Sequence, residues 1–195
     1  LTVTNNRTEA VTIDAFASVE FALWDAHDDA VNFQRNFNTG EVEVVDNVIY
    51  HKTEYRERRD HFAFVACSDP LAGFDTQREA FLGGYRGWDA PQAVEAGACT
   101  GSVAHGWSPV GVQQVKITLE PGESHTVVFM LGYQENAQDD KFDPPGSQII
   151  NKRSVLPIID RYRNLDNVAA AFDALNAHWD VLLRKYTVQT PDEHT

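Results

Sequence analysis

Cysteine is almost missing from this chain: Cys67 and Cys99 are the only two in 195 residues. Neither sits in a metal-spaced pair, so a zinc module or a disulfide-built scaffold is excluded as the organising device. Two buried thiols in a reducing compartment are expected, which points to a cytoplasmic protein. Basic residues are also scarce, 16 against 29 acids, for a net charge of −13. Binding to a phosphate backbone needs a basic face that this composition hardly supplies, so no nucleic-acid partner is expected. No apolar run approaches the roughly 20 residues of a membrane span. There is no nucleophile elbow, Walker loop, dinucleotide fingerprint or zinc spacing, so neither a cofactor nor a metal is expected. The seven histidines are scattered, and His51 and His61 match no common metal signature.

Aromatic residues, by contrast, are plentiful. With 11 Phe, 6 Tyr and 4 Trp in a chain that is 43% hydrophobic, a folded core is expected rather than disorder. Residues 1 to 135 read as β structure. Val11 and Ile13, then Val19, Phe21 and Leu23, alternate with more polar neighbours, the period of half-buried strands. Val42 and Val44 face Val48 and Tyr50 across Asp46-Asn47, a hairpin signal. His61 to Cys67 is an apolar run of strand length, and Val112 to Leu119 is joined to Thr126 to Tyr133 through Pro121-Gly122, a type II turn pair. Residues 68 to 111 are rich in Gly, Pro and large rings and read as long ordered loops. The fold class this implies is mainly β, an antiparallel β-sandwich followed by a helical linker over residues 136 to 195.

The linker reading rests on two segments. Asn151 to Arg163 is helical, with Pro157 as a kink or a first turn. From Asn167 onward, Val168, Phe172, Leu175, Trp179, Leu182 and Tyr186 recur on one helical face, with Asp166 or Asn167 as cap. Such a face needs something to cover, either the sandwich or a further domain. The chain opens with strand character at Leu1-Thr2-Val3-Thr4 and closes on Pro191-Asp192-Glu193-His194-Thr195 directly after a strong helix, so a piece of a longer polypeptide is expected.

The densest chemistry lies between His51 and His61. Lys52, Arg56, Arg58 and Arg59 are interleaved there with Glu54, Glu57 and Asp60, and with Tyr55. Close guanidiniums repel unless acids or phosphate hold them. A phosphate cradle would leave cations uncompensated, whereas here the acids nearly match the bases, which favours an internal network fixing a loop or an interface. Asp25, Asp28 and Asp29, with Glu54, Glu57 and Asp60, could also furnish paired carboxylates for glycosidase chemistry. Adjacent aspartates after a strand are more often caps and turn formers. The Asn32-Phe33-Gln34-Arg35-Asn36-Phe37-Asn38 run interleaves amides with rings, the materials of carbohydrate contact or of a hydrogen-bonded loop.

Taken as strings, these segments resemble the N-terminal region of the cellobiose phosphorylases, inverting glycoside phosphorylases of glycoside hydrolase family 94. The resemblance is carried by Val19-Glu20-Phe21-Ala22-Leu23-Trp24-Asp25-Ala26, Asn32-Phe33-Gln34-Arg35-Asn36, Thr39-Gly40-Glu41-Val42-Glu43-Val44, the whole of Ile49 to His61, Gly73-Phe74-Asp75-Thr76 and Leu131-Gly132-Tyr133. It implies a galactose-mutarotase-like supersandwich, a helical linker and then an (α/α)6-barrel catalytic domain. It also implies inverting phosphorolysis of cellobiose to glucose 1-phosphate and glucose, with inorganic phosphate as substrate and no cofactor. By the same resemblance the catalytic acid and phosphate ligands lie in the barrel, so no residue of this chain inherits them. Asp25, Asn32 and Arg35 become candidates for a substrate entrance, and a homodimer acting on a β-linked disaccharide or cellodextrin is implied. The alternative from another class is a stand-alone carbohydrate-binding or assembly module. A small independent hydrolase using Asp25, Asp28 or Glu57 is a third.

Overall fold

The structure, a computed structural model, describes residues 1–21, 40–53, 60–106 and 109–185. Among these the strands are β1 (Thr2–Thr4), β2 (Val11–Glu20), β3 (Gly40–Val45), β4 (Val48–Thr53), β5 (His61–Cys67), β6 (Gly73–Gln77), β7 (Pro109–Leu119), β8 (Ser124–Thr126) and β9 (Phe129–Glu135). The helices are α1 (Arg78–Leu82), α2 (Gln92–Ala96), α3 (Leu156–Arg163) and α4 (Leu165–Leu183). The strands form a four-stranded sheet in the order β3-β4-β5-β9, a three-stranded sheet β2-β7-β6 and a pair β1-β8, with every neighbour antiparallel. This is the mainly β, antiparallel sandwich with C-terminal helices that the sequence implies.

Alternation along each strand sorts the core into three layers. Ile49, Val65 and Val42 meet Val19, Phe21 and Phe74 between the sheets, and Cys67, Val115, Ile117 and Leu119 continue that layer with Ile13 and Ala15. On the outer face of the four-stranded sheet, Val48, Tyr50, Phe62, Phe64 and Ala66 are covered by Ile150, Val155 and Ile159. On the outer face of the other sheet, Val110 and Val112 pack under Phe81, Leu82 and Ala93. Both sheets are therefore buried on two sides, which explains the near-continuous apolar runs of β5 and β7.

Several local expectations change. The 68–111 stretch is not only loop: it holds β6 and the two short helices that cover β7. The Asp46-Asn47 hairpin is present, with φ of 50° and 65° at the two turn residues, the pair of left-handed conformations a two-residue turn matched to strand twist requires. Its register differs by one position, however. Val44 pairs with Ile49 and Val42 with His51, so Val48 and Tyr50 point to the opposite face. The Pro121-Gly122 turn also forms, with Gly122 at φ 78° and Glu123 N–H donating to Glu120 O at 3.0 Å. It does not close a hairpin between its flanking strands, because β8 pairs with β1 while β9 joins the other sheet.

Helix α3 starts later than its pattern suggests, with Pro157 in the first turn, where a missing N–H costs nothing. Helix α4 is capped by Asn164, not Asp166 or Asn167: its side-chain oxygen accepts from the N–H groups of Asp166 and Asn167 at 2.9 and 3.2 Å. None of its residues is buried, and Phe172, Leu175, Trp179 and Leu182 all stand exposed. Among the described residues, no helix is long and apolar enough to cross a membrane.

One close approach is decisive for the outer layer. Gly132 of β9 lies opposite Phe64 of β5, and a Cβ built on Gly132 would overlap the Phe64 ring. The ring fills the space a side chain would need. Gly132→Ala is expected to lower stability by about 2 kcal/mol through overpacking. Adding Phe64→Leu should recover part of that loss in urea melts; simple additivity of the two changes would show that the ring is not the obstacle.

Candidate functional site

The charged run of the sequence begins on β4 and ends at Asp60, and its two described ends are held in different ways. Lys52 is buried on the outer face; its Nζ donates to Gln148 O at 2.9 Å and lies 4.6 Å from the centre of the Phe142 ring. Lys141 approaches the same ring at 4.8 Å. Beside them Glu43 of β3 accepts from Ile150 N–H at 2.7 Å and from Lys152 Nζ, and Lys152 Nζ stands 5.0 Å from the Tyr50 ring centre. The chain beyond the last strand is thus fastened to the sheet by ammonium groups lying against rings. Burial raises the Tyr50 phenol to about 12, outweighing the opposing influence of Arg163, so this ring stays neutral.

At the other end, Asp60 and His61 open β5. His61 is the register partner of Glu135 on β9, with Nε2 3.7 Å from Glu135 Oε1 and 3.5 Å from Asp60 Oδ1. Its ring packs on Tyr133 with centroids 5.2 Å apart. Next to Tyr133, an open groove of about 250 Å³ is lined by Val19, Glu20, Phe21, Ala63 and Leu131. Phe21 and the half-exposed Tyr133 give it aromatic walls, and Glu20, paired with Arg78 at 2.7 Å, gives it one carboxylate rim. Rings with a few polar groups are the usual lining of a small-molecule site.

Behind Phe21 lies the least expected group of the molecule. His51 is 3% exposed, stacks on Phe21 at 4.7 Å with the planes 12° apart, and has no hydrogen-bond partner at either ring nitrogen among the described residues. Burial alone pulls its pKa down to about 3, so the imidazole is neutral near pH 7.

On the far side of the sandwich, the Gly73-Phe74-Asp75-Thr76 string forms β6, and Asp75 is wholly buried. Its carboxylate accepts from Thr100 N–H and Oγ1, the latter at 2.5 Å, and from Ser102 N–H and Oγ at 3.0 and 2.7 Å. Four donors from one short loop converge on one acidic group, which makes Asp75 a loop anchor. The two cysteines are free thiols. Burial pushes Cys99 up to about 12, with Asp75 adding to the effect, and burial likewise raises Cys67. Both therefore remain protonated and poorly nucleophilic.

Asp25, Asn32 and Arg35, and with them Glu54, Tyr55, Arg56, Glu57, Arg58 and Arg59, lie outside the described residues, as do Asp28 and Asp29. Of the expected network only Lys52 and Asp60 are described: Lys52 lies against Phe142, and Asp60 lies beside His61 and Glu135. The Glu43–Lys152 pair, the Asp75 anchor and the His61–Glu135 juxtaposition were not reached from sequence. Each joins residues distant in the chain: His61 and Glu135 meet through the β5–β9 ladder, and the other two through loops folded back on the sheets.

Comparison with known proteins follows the same lines. A family model described as "Glycosyl hydrolase 94, supersandwich domain" matches residues 1–165. The chain is 28% identical over 192 residues to an N,N'-diacetylchitobiose phosphorylase of Vibrio proteolyticus and 26% identical over 192 residues to one of Vibrio furnissii, covering 98% of this chain and 22% of each relative. It is 27% identical over 147 residues to a 3-O-beta-D-glucopyranosyl-beta-D-glucuronide phosphorylase of Paenibacillus borealis, covering 75% of this chain and 17% of that protein. The chain thus spans about a fifth of the length of the curated relatives it matches.

Proposed function

Since the chain belongs to the glycosyl hydrolase 94 family, as its supersandwich domain, we propose that it is the scaffold of a glycoside phosphorylase whose bond-breaking groups are carried by further polypeptide. The observation that carries this reading is the match along residues 1–165 to a domain of that family, in a chain a fifth as long as its phosphorylase relatives. Helix α4 supports it physically. Phe172, Leu175, Trp179 and Leu182 form an uncovered apolar face immediately beyond the matched domain, suited to a catalytic barrel packed against it.

The reaction in this proposal is reversible phosphorolysis of a β-linked disaccharide, with cellobiose as the reading from the sequence. A carboxylic acid of the barrel protonates the glycosidic oxygen as the bond to the anomeric carbon breaks. Phosphate attacks that carbon from the opposite face, taking the place of the base-activated water of an inverting hydrolase. The products are α-glucose 1-phosphate and glucose. Asp25, Asn32 and Arg35 line the substrate entrance of the assembled enzyme, the sandwich contributes to a homodimer, and the enzyme works in the cytoplasm.

The test is release of glucose 1-phosphate from cellobiose and phosphate, with N,N'-diacetylchitobiose in parallel. The 195-residue chain alone is expected to be inert, and the polypeptide extended through a downstream barrel to be active. In the extended protein, Asn32→Ala and Arg35→Ala should raise KM for the disaccharide about tenfold with a smaller change in kcat. Turnover by the short chain would overturn the proposal. The groove beside Tyr133 favours one second reading, a carbohydrate-binding module; cellodextrin binding by calorimetry that is lost in Tyr133→Ala would support it.

A further inference from the structure

We propose that Asp60, His61 and Glu135 form a binding site for a zinc-type divalent cation that braces the edge strand β9 against β5. One imidazole nitrogen and two carboxylate oxygens, from three side chains, lie within 4.8 Å of one another. His61 Nε2 is 3.5 Å from Asp60 Oδ1 and 3.7 Å from Glu135 Oε1. Both separations exceed the ~3.2 Å reach of an N–H···O hydrogen bond. They fall close instead to the edge of a zinc tetrahedron, about 3.4 Å when metal–ligand bonds are near 2.1 Å. Three donor atoms thus lie close together, with neither carboxylate within hydrogen-bond reach of His61 Nε2.

The surroundings favour that use of the ring. Among the described residues His61 Nδ1 is buried without a hydrogen-bond partner, and Nε2 is the nitrogen beside the two carboxylates. The ring's orientation is set by Tyr133, and Asn136 N–H donating to Asp60 O at 3.0 Å ties the turn at Asp60 to the end of β9. Glu135 is the most exposed of the three, so its side chain is free to close by a few tenths of an ångström. Lys52 and Lys141 line the same small cavity as Asp60 and His61, with their ammonium groups lying against the Phe142 ring. Mixed nitrogen and oxygen donors with an open fourth position for water suit Zn²⁺ or Co²⁺ better than Mg²⁺, which demands a near-ideal octahedron of oxygens. No spacing rule finds this site, because His61 and Glu135 meet only through the β5–β9 register.

The experiment is calorimetric titration of the chelator-stripped chain with Zn²⁺ near neutral pH, with Mg²⁺ as control and Co²⁺ as spectroscopic probe. One equivalent of Zn²⁺ is expected to bind, Co²⁺ to give the intense visible bands of a tetrahedral ion, and Mg²⁺ to give neither. At a hundredfold excess over Kd, Zn²⁺ should raise Tm by about 5 °C. Glu135→Gln, a change at an exposed side chain that preserves the fold, should weaken Zn²⁺ at least tenfold and remove the Tm shift. His61→Gln should abolish both. A wild-type chain that binds no Zn²⁺ would overturn the proposal. Binding unchanged in Glu135→Gln and His61→Gln would place the ion elsewhere and overturn it equally.

Discussion

Replacing Asp75 by alanine should cost about 4 kcal/mol of stability, the largest loss expected from any single change described for this domain. The estimate follows from what the carboxylate leaves behind. Two backbone N–H groups and two hydroxyls, from Thr100 and Ser102, converge on it at 2.5–3.2 Å. Hydrogen bonds to a charged acceptor are worth more than neutral ones, and stranded buried donors add their own desolvation penalty. Ala104 N–H donating to Thr76 Oγ1 at 2.7 Å continues the same attachment, so the loop detaches over several residues. Asp75→Asn keeps the shape but turns an amide NH2 toward groups that are themselves donors, and should cost about 2 kcal/mol. Urea unfolding followed by tryptophan fluorescence would measure both. A loss below about 1 kcal/mol for the alanine variant would mean that water can replace the carboxylate.

The second large effect is a loss of stability in acid that originates at His51. Its pKa is depressed to about 3 in the native state because the ring is buried without a partner. In the unfolded chain it returns to the ordinary value of about 6.5. Above that value neither state carries the proton and stability is complete. Below it the unfolded chain binds a proton that the native state refuses, so stability falls by about 1.4 kcal/mol per pH unit until the native pKa is reached. At about pH 4.5 this one side chain should have removed about 3 kcal/mol. His51→Phe preserves the flat stack on Phe21 and removes the proton acceptor. Its stability at neutral pH should equal or exceed that of the parent, since the orphaned polar atoms are gone, and its acid limb should be shallower by that amount. Carboxylates also titrate in this range, so the informative quantity is the difference between the two profiles. Parallel profiles would show that the native fold admits a proton or water to His51.

The sequence carried the architecture further than the contacts. The Asp46-Asn47 turn was readable because few residue pairs tolerate two positive φ values in succession, yet the register around it slipped by one, since Val42, Val44, Val48 and Tyr50 are all apolar and fit either face. Helices α1 and α2 escaped notice because five residues make little more than one turn, too short for a period to emerge. The stripe on α4 was plain, and its exposure is equally a matter of record. Asp75 was visible only as part of a distinctive string; nothing in its neighbours announced that a loop some 25 residues onward would wrap around it. His61 and Glu135 illustrate the same limit, because facing pairs across a ladder leave no local imprint.

The pairing of β2 with β7 has a consequence for how the chain assembles. Thr12 and Thr118 sit side by side although 106 positions apart in the sequence, and Thr2 and Thr126 although 124 apart. During synthesis β1 and β2 cannot take up these partners until the ribosome has delivered β7 and β8. Topologies of this kind condense slowly and late, and the interval before closure is when neighbouring nascent chains can join edge to edge.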